Sequence, residues 1–135
     1  MAVKIFTLEE ANRLLPHVDA VLKKLIQAAR QIQGYQDRIA VLELIGASHR
    51  RSPERREYLM GMRRLEELIA ERDRILEGMQ RMGCVVKDFI KGQVDFYGAT
   101  DGRFVFFCWK LGEKQIQYWH ELNKGTCGRR PLSEL

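Results

Sequence analysis

The first two-thirds of the chain carry apolar residues at helical spacing. Between residues 8 and 45, one apolar row repeats every three or four positions and a second every seven, so that they merge into one wide stripe. Thr7 and Glu10 form a capping-box pattern before this stripe, and Gly46 follows it. The pattern predicts a first helix over residues 8–45, about 55 Å long if it is straight.

A second apolar stripe follows and ends before Gly83. Ser52 and Pro53 suit the N-cap and the first helical position, so we predict a second helix that runs from there to about Met82. Two long helices joined by a short turn predict an antiparallel hairpin of the coiled-coil kind. Both stripes are wider than a two-helix contact needs. The missing cover must come from the C-terminal region, a second copy of the chain, or both, and we predict a homodimer that forms a four-helix arrangement.

The spacing changes to that of β-strands after Gly83. We predict a short strand around Val85, a strand at 94–97 and a strand at 103–109, the last two paired across an Asp-Gly turn. The stretch 113–122 fits either a strand or a short helix, and the tail after it is predicted to be a loop.

These elements predict one domain over residues 1–135 that belongs to the α+β class and is mainly α. Its parts are a long antiparallel helical hairpin over 8–82 and a small antiparallel β-region over 83–135. A chain of 135 residues suits a single modest core. No leader and no membrane-spanning apolar run is visible, and the three cysteines are too scattered for a disulfide framework. We therefore expect a cytoplasmic protein with no membrane association.

Positive charge is concentrated in the predicted turn between the helices. Six arginines and two glutamates lie between His49 and Arg64, which places +4 of the net charge of +5 there. One interpretation is a contact for phosphate or an acidic partner, as in a nucleic-acid-binding or ribosome-associated hairpin. The candidate residues are Arg50, Arg51, Arg55 and Arg56. The preferred interpretation is a solvated turn, because no nucleic-acid motif surrounds these arginines.

The richest candidate chemistry lies between Cys108 and Glu121. Both tryptophans, a cysteine, a histidine and two glutamates fall in this segment. His120 with Glu113 or Glu121 could bind a divalent metal, provided that the segment forms a helix that aligns them. Cys108 beside His120 could instead be a nucleophile with its base.

The preferred interpretation of this segment requires no reaction. Trp109 and Trp119 would anchor a binding site or an interface, and Glu113, His120, Glu121 and Arg129 would form a charge-assisted network. Asp95 could join that network. We therefore expect a small binding or regulatory protein and lean against catalysis. The sequence requires no cofactor, although a divalent metal remains the candidate.

Four motifs also resemble a bacterial family of uncharacterised proteins, catalogued as domain of unknown function number 2203. They are the segments 6–16, 94–96 and 108–113, and the segment 118–121 with a later Gly-Arg pair. The resemblance implies no activity, but it marks one set of polar and aromatic positions. These are Asp95, Cys108, Trp109, Glu113, Trp119, His120, Glu121 and Arg129.

Overall fold

The computed structural model describes residues 3–123 and 128–135, which form a helical hairpin followed by an antiparallel sheet. The predicted α+β, mainly α class is confirmed. Helix α1 spans Leu8–Leu44. Its N-terminus carries the predicted capping box: Glu10 N donates to Thr7 Oγ1 at 3.2 Å, and Thr7 N donates to Glu10 Oε1 at 2.9 Å.

Helix α2 spans Arg55–Met82 and ends at Gly83, whose φ of 95° is the left-handed conformation of a helix C-cap. The predicted start at Ser52 and Pro53 was wrong, because the N-cap is Glu54. The Ser52 hydroxyl instead accepts from Glu54 N at 3.2 Å and closes a two-residue turn before the helix.

Five strands follow in the chain. They are β1 (Cys84–Asp88), β2 (Gln93–Thr100), β3 (Arg103–Lys110), β4 (Tyr118–His120) and β5 (Arg130–Pro131). Each strand pairs antiparallel with the next, in the order β1-β2-β3-β4-β5.

The β2–β3 hairpin turns at Asp101 and Gly102, which both have positive φ, as predicted for an Asp-Gly turn. In the ambiguous stretch 113–122, only Tyr118–His120 is regular, and it is a strand. The loop predicted for the tail was wrong at Arg130–Pro131, which pairs with β4. Residues 124–127 of that loop, including Cys127, lie outside the described residues.

One apolar core joins the helices to one face of the sheet. Within the described residues, this core draws on α1 as far as Ile26 and on α2 from Ile75 onward. The remaining half of the hairpin, residues 28–44 and 55–73, extends beyond the core, and we call it the outer hairpin. Neither helix of the described chain offers an apolar stretch able to span a bilayer.

Candidate functional site

The alternation of side chains along the central strands separates two chemistries. Val94 and Phe96 of β2 and Trp109 of β3 point into the core shared with the helices. The residues between them must point to the opposite face, because successive side chains of a strand alternate. Asp95 and Cys108 are therefore on the face away from the helices, and the register places them directly opposite each other.

Strand β4 adds a third residue to this face. Trp119 packs in the core, so its neighbour His120 points to the other side. The His120 ring reaches over β3, and its Nε2 lies 2.8 Å from Oδ2 of Asp95. Asp95 and Cys108 are 0% exposed and His120 is 1% exposed. We call Asp95, Cys108 and His120 the back-face cluster; their ligand atoms all lie within 4.8 Å of one another.

Hydrogen bonds determine the protonation of His120. Its Nδ1 lies 3.0 Å from the backbone carbonyl of Glu121, which can only accept, so Nδ1 carries a hydrogen. The 2.8 Å contact between Nε2 and Asp95 also needs a proton, which either group can supply. The pair is thus an imidazolium with a carboxylate or a neutral imidazole with a carboxylic acid. In both cases the pair holds one shared proton and no net charge.

Burial controls the electrostatics of the cluster. It raises the pKa of the Asp95 carboxyl above its ordinary value, and the charge and hydrogen bond of His120 act in the opposite direction. Burial also raises the pKa of the Cys108 thiol to about 11; the Asp95 charge adds to this rise, and Arg129 opposes it. At neutral pH the Cys108 thiol is therefore protonated.

A buried amide also contacts the Cys108 sulfur. Gln93 is 5% exposed, and its Nε2 donates to Cys108 Sγ at 3.1 Å. Within the described chain, Oδ1 of Asp95 and Nε of Arg129 are buried without a hydrogen-bond partner. The protonated Cys108 thiol is a hydrogen-bond donor to the Asp95 carboxyl and lowers its pKa, so this carboxyl does not require an additional group.

Glu113 and Arg129 form a second cluster beside the first. Oε1 of Glu113 accepts from Lys110 N at 2.6 Å and from an Arg129 terminal nitrogen at 2.5 Å. The Glu113 carbonyl accepts from Trp109 Nε1 at 2.9 Å. The Arg129 guanidinium also lies 3.8 Å from the centre of the Tyr118 ring. These contacts hold the loop after β3 against the segment that enters β5.

The eight residues of the predicted site therefore separate into groups. The back-face cluster is one group, and Glu113 with Arg129 is another. Trp109 and Trp119 lie on the helix-facing side, in the core. Glu121 turns its carboxylate towards Arg103, at 3.6 Å, and its carbonyl lies against His120 Nδ1. The metal set of His120 with Glu113 or Glu121 stays a prediction.

Gln93 is the residue that sequence reasoning missed. It lies two positions before Asp95 on β2, so it shares the same face, and strand periodicity could have identified it.

The four arginines proposed as phosphate contacts lie in or beside the turn between the helices. Arg50, Arg51 and Arg56 are exposed, and Arg55 donates to the Ser48 carbonyl at 2.6 Å.

Comparison with known proteins places the chain in a family. No curated protein and no solved structure matches it. A family model described as an uncharacterized conserved protein, DUF2203, matches residues 4–132, which is almost the whole chain. The back-face cluster, Glu113 and Arg129 all lie within the matched region. The chain therefore belongs to the DUF2203 family of uncharacterized conserved proteins.

Proposed function

We propose that this protein binds a transition-metal ion through Asp95, Cys108 and His120. The observation that carries the proposal is the convergence of a carboxylate, a thiol and an imidazole from three adjacent strands, with all ligand atoms within 4.8 Å. All three side chains are buried, and each lies on a strand rather than on a loop.

The ligand types favour Zn²⁺ or a similar ion such as Co²⁺. Thiolate and imidazole select these ions, whereas Mg²⁺ and Ca²⁺ prefer sites made of oxygen. Around a tetrahedral Zn²⁺, bonds of about 2.0–2.1 Å place an oxygen and a nitrogen ligand atom about 3.3–3.4 Å apart. The Asp95 and His120 atoms, now 2.8 Å apart, would need to separate by less than an ångström.

The surroundings of the cluster suit ligand roles. The bond from His120 Nδ1 to the Glu121 carbonyl leaves Nε2 to bind metal, as is usual for histidine ligands. The Gln93 amide, which already donates to Cys108 Sγ, would stabilise a thiolate. Asp95 and Cys108 as anions balance the two positive charges of the ion, which a buried site requires.

Burial also bears on the role of the metal. Three protein ligands leave one tetrahedral position for a fourth ligand. Because all three are at most 1% exposed, a substrate has no open approach across the described residues. We therefore propose a structural or regulatory metal in a small cytoplasmic binding protein. Burial with a pKa of about 11 likewise disfavours Cys108 as a free nucleophile.

Cobalt titration tests this proposal on tag-free protein. We expect one Co²⁺ per chain and a thiolate-to-cobalt charge-transfer band in the near ultraviolet. Cys108→Ser should abolish the band. Cys84→Ala is the matched control, because Cys84 is equally buried but lies in the apolar core, and it should keep the band. Absence of stoichiometric metal in protein as purified, together with no cobalt band, would falsify the proposal.

The homodimer expected from the sequence also stays a proposal. Its support is apolar exposure on the outer hairpin, where Val41 is 47% and Leu44 86% exposed. A second copy that covered these residues would complete a four-helix arrangement. Light scattering that shows a monomer over a wide concentration range would exclude it.

Nucleic-acid binding by the basic turn is the alternative, and it requires retention on heparin at low salt.

A further inference from the structure

The outer hairpin contains an apolar groove between its two helices. The groove has a volume of about 560 Å³. Its apolar lining consists of Tyr35, Ile39, Leu42, Met60 and Gly61. Met60 is 61% exposed and lies beside the other apolar side chains of the lining. Gly61 has no side chain and so leaves the floor of the groove open. A Cβ at this position would contact Ile39 Cγ1 at 3.6 Å.

Positive charge surrounds this apolar floor. Three arginines and one glutamate complete the lining, which gives a net charge of +2. Arg38 is paired with Glu57 at 2.7 Å, and Arg64 with Glu67 at 3.1 Å. Among the described residues, Arg56 has no carboxylate within 4.0 Å. The rim therefore offers at least one guanidinium to an acidic group.

We propose that this groove docks an amphipathic helix of another protein, with acidic residues flanking its apolar anchors. A third helix can pack its apolar face into the open apolar seam between two antiparallel helices. The floor extends over residues 35–42 of α1, about 10 Å at 1.5 Å per residue, which matches two turns of a partner helix. The proposal is independent of the metal site.

Charge and polarity argue against the other occupants of the groove, which Val41 and Leu44 of the proposed dimer contact do not line. Two copies meeting groove to groove would bring the net +2 of one lining against the net +2 of the other. A nucleic acid would use the arginines but leave the apolar floor without a partner. A helix with acidic flanks satisfies both the floor and the rim.

The test uses a fluorescein-labelled helical peptide with leucines at i, i+3, i+4 and i+7 and glutamates on both sides. Its matched control replaces the glutamates with lysines. Binding to the protein as purified is measured by fluorescence polarisation. We expect the glutamate peptide to bind at least about tenfold more tightly than the lysine peptide, because like charges at a rim suppress wrong partners.

Variants locate the binding. Met60→Glu should weaken binding of the glutamate peptide by more than about tenfold, and Arg56→Glu by several-fold, because they remove an anchor and a rim charge. Arg74→Glu, at an exposed arginine of α2 outside the groove, should leave the affinity unchanged. Circular dichroism checks that each variant keeps its helices, which is expected because Met60 and Arg56 are exposed.

Four outcomes would overturn the proposal. The first is no binding of the glutamate peptide, and the second is equal binding of both peptides. The third is a dimer in light scattering that Met60→Glu dissociates, which would assign the groove to a second copy. The fourth is DNA binding that Arg56→Glu abolishes and Met60→Glu leaves intact, without peptide binding, which would assign this surface to nucleic acid.

Discussion

Metal binding to the back-face cluster should release two protons. Without metal, the hydrogen bond between His120 Nε2 and Asp95 Oδ2 holds one proton, and the Cys108 thiol, with a pKa of about 11, holds the other. A metal ion bound by thiolate, carboxylate and imidazole Nε2 displaces both. The site exchanges two protons for one divalent ion, and its net charge stays at zero.

The sign and the size of the pH effect follow from this exchange. Protons compete with the metal, so the apparent affinity rises as pH rises and falls as pH falls. Two protons per ion correspond to about 100-fold in Kd per pH unit, or about 2.7 kcal/mol, as long as the metal-free site holds both protons. A site with only one displaced proton would change by about tenfold per unit.

Calorimetric titration in buffers with different ionisation enthalpies counts the protons directly. We expect two per Zn²⁺ for the natural chain. Asp95→Asn removes the shared proton but keeps Cys108, so it should bind more weakly and release one. An affinity that does not change with pH, or a count below two in the natural chain, would show that the protonation deduced for His120 and Asp95 is wrong.

Two stability predictions test the packing around the site. Gly98→Ala should lower the free energy of unfolding in urea by roughly 1–3 kcal/mol, because the added carbon would lie 2.3 Å from a ring carbon of Phe107. Gly34→Ala is the control, because no atom lies within 4 Å of the added carbon. An alanine in the middle of a helix should raise the free energy of unfolding by about 0.5–1 kcal/mol. A loss of stability at Gly34 equal to that at Gly98 would refute the clash with Phe107. Glu113→Gln should cost roughly 2 kcal/mol by thermal unfolding, because it leaves a largely buried guanidinium without its charged partner. Glu67→Gln, in a pair that is about half exposed, should change little, and equal losses at both glutamates would contradict this account.

Local sequence chemistry predicted the helical part of the fold. The capping box at Thr7 and the left-handed glycine at Gly83 form hydrogen bonds within a few residues, so local sequence is enough to predict them. The Asp-Gly turn of the β2–β3 hairpin is of the same kind. The start of α2 was misplaced because Ser52 can satisfy either a cap or a local turn, and only the surroundings choose between them.

The site depended on strand alternation and register, which the sequence left open. The segment around His120 fitted a helix or a strand, and these alternatives place His120 beside different residues. As a strand, it points His120 away from Trp119 and towards Asp95, 25 positions earlier in the chain. The tryptophans therefore belong to the core, and the cysteine joins the histidine on the opposite face.

The sequence by itself determined the helical hairpin, its caps at Thr7 and Gly83, the β2–β3 turn and the residue types available for chemistry. Only the tertiary structure decided which of those residues meet. The physical reason is the range of the interactions: caps and turns close over two to four residues. The contact of Asp95 with Cys108 and His120 instead requires three strands in one register and a buried face that excludes water.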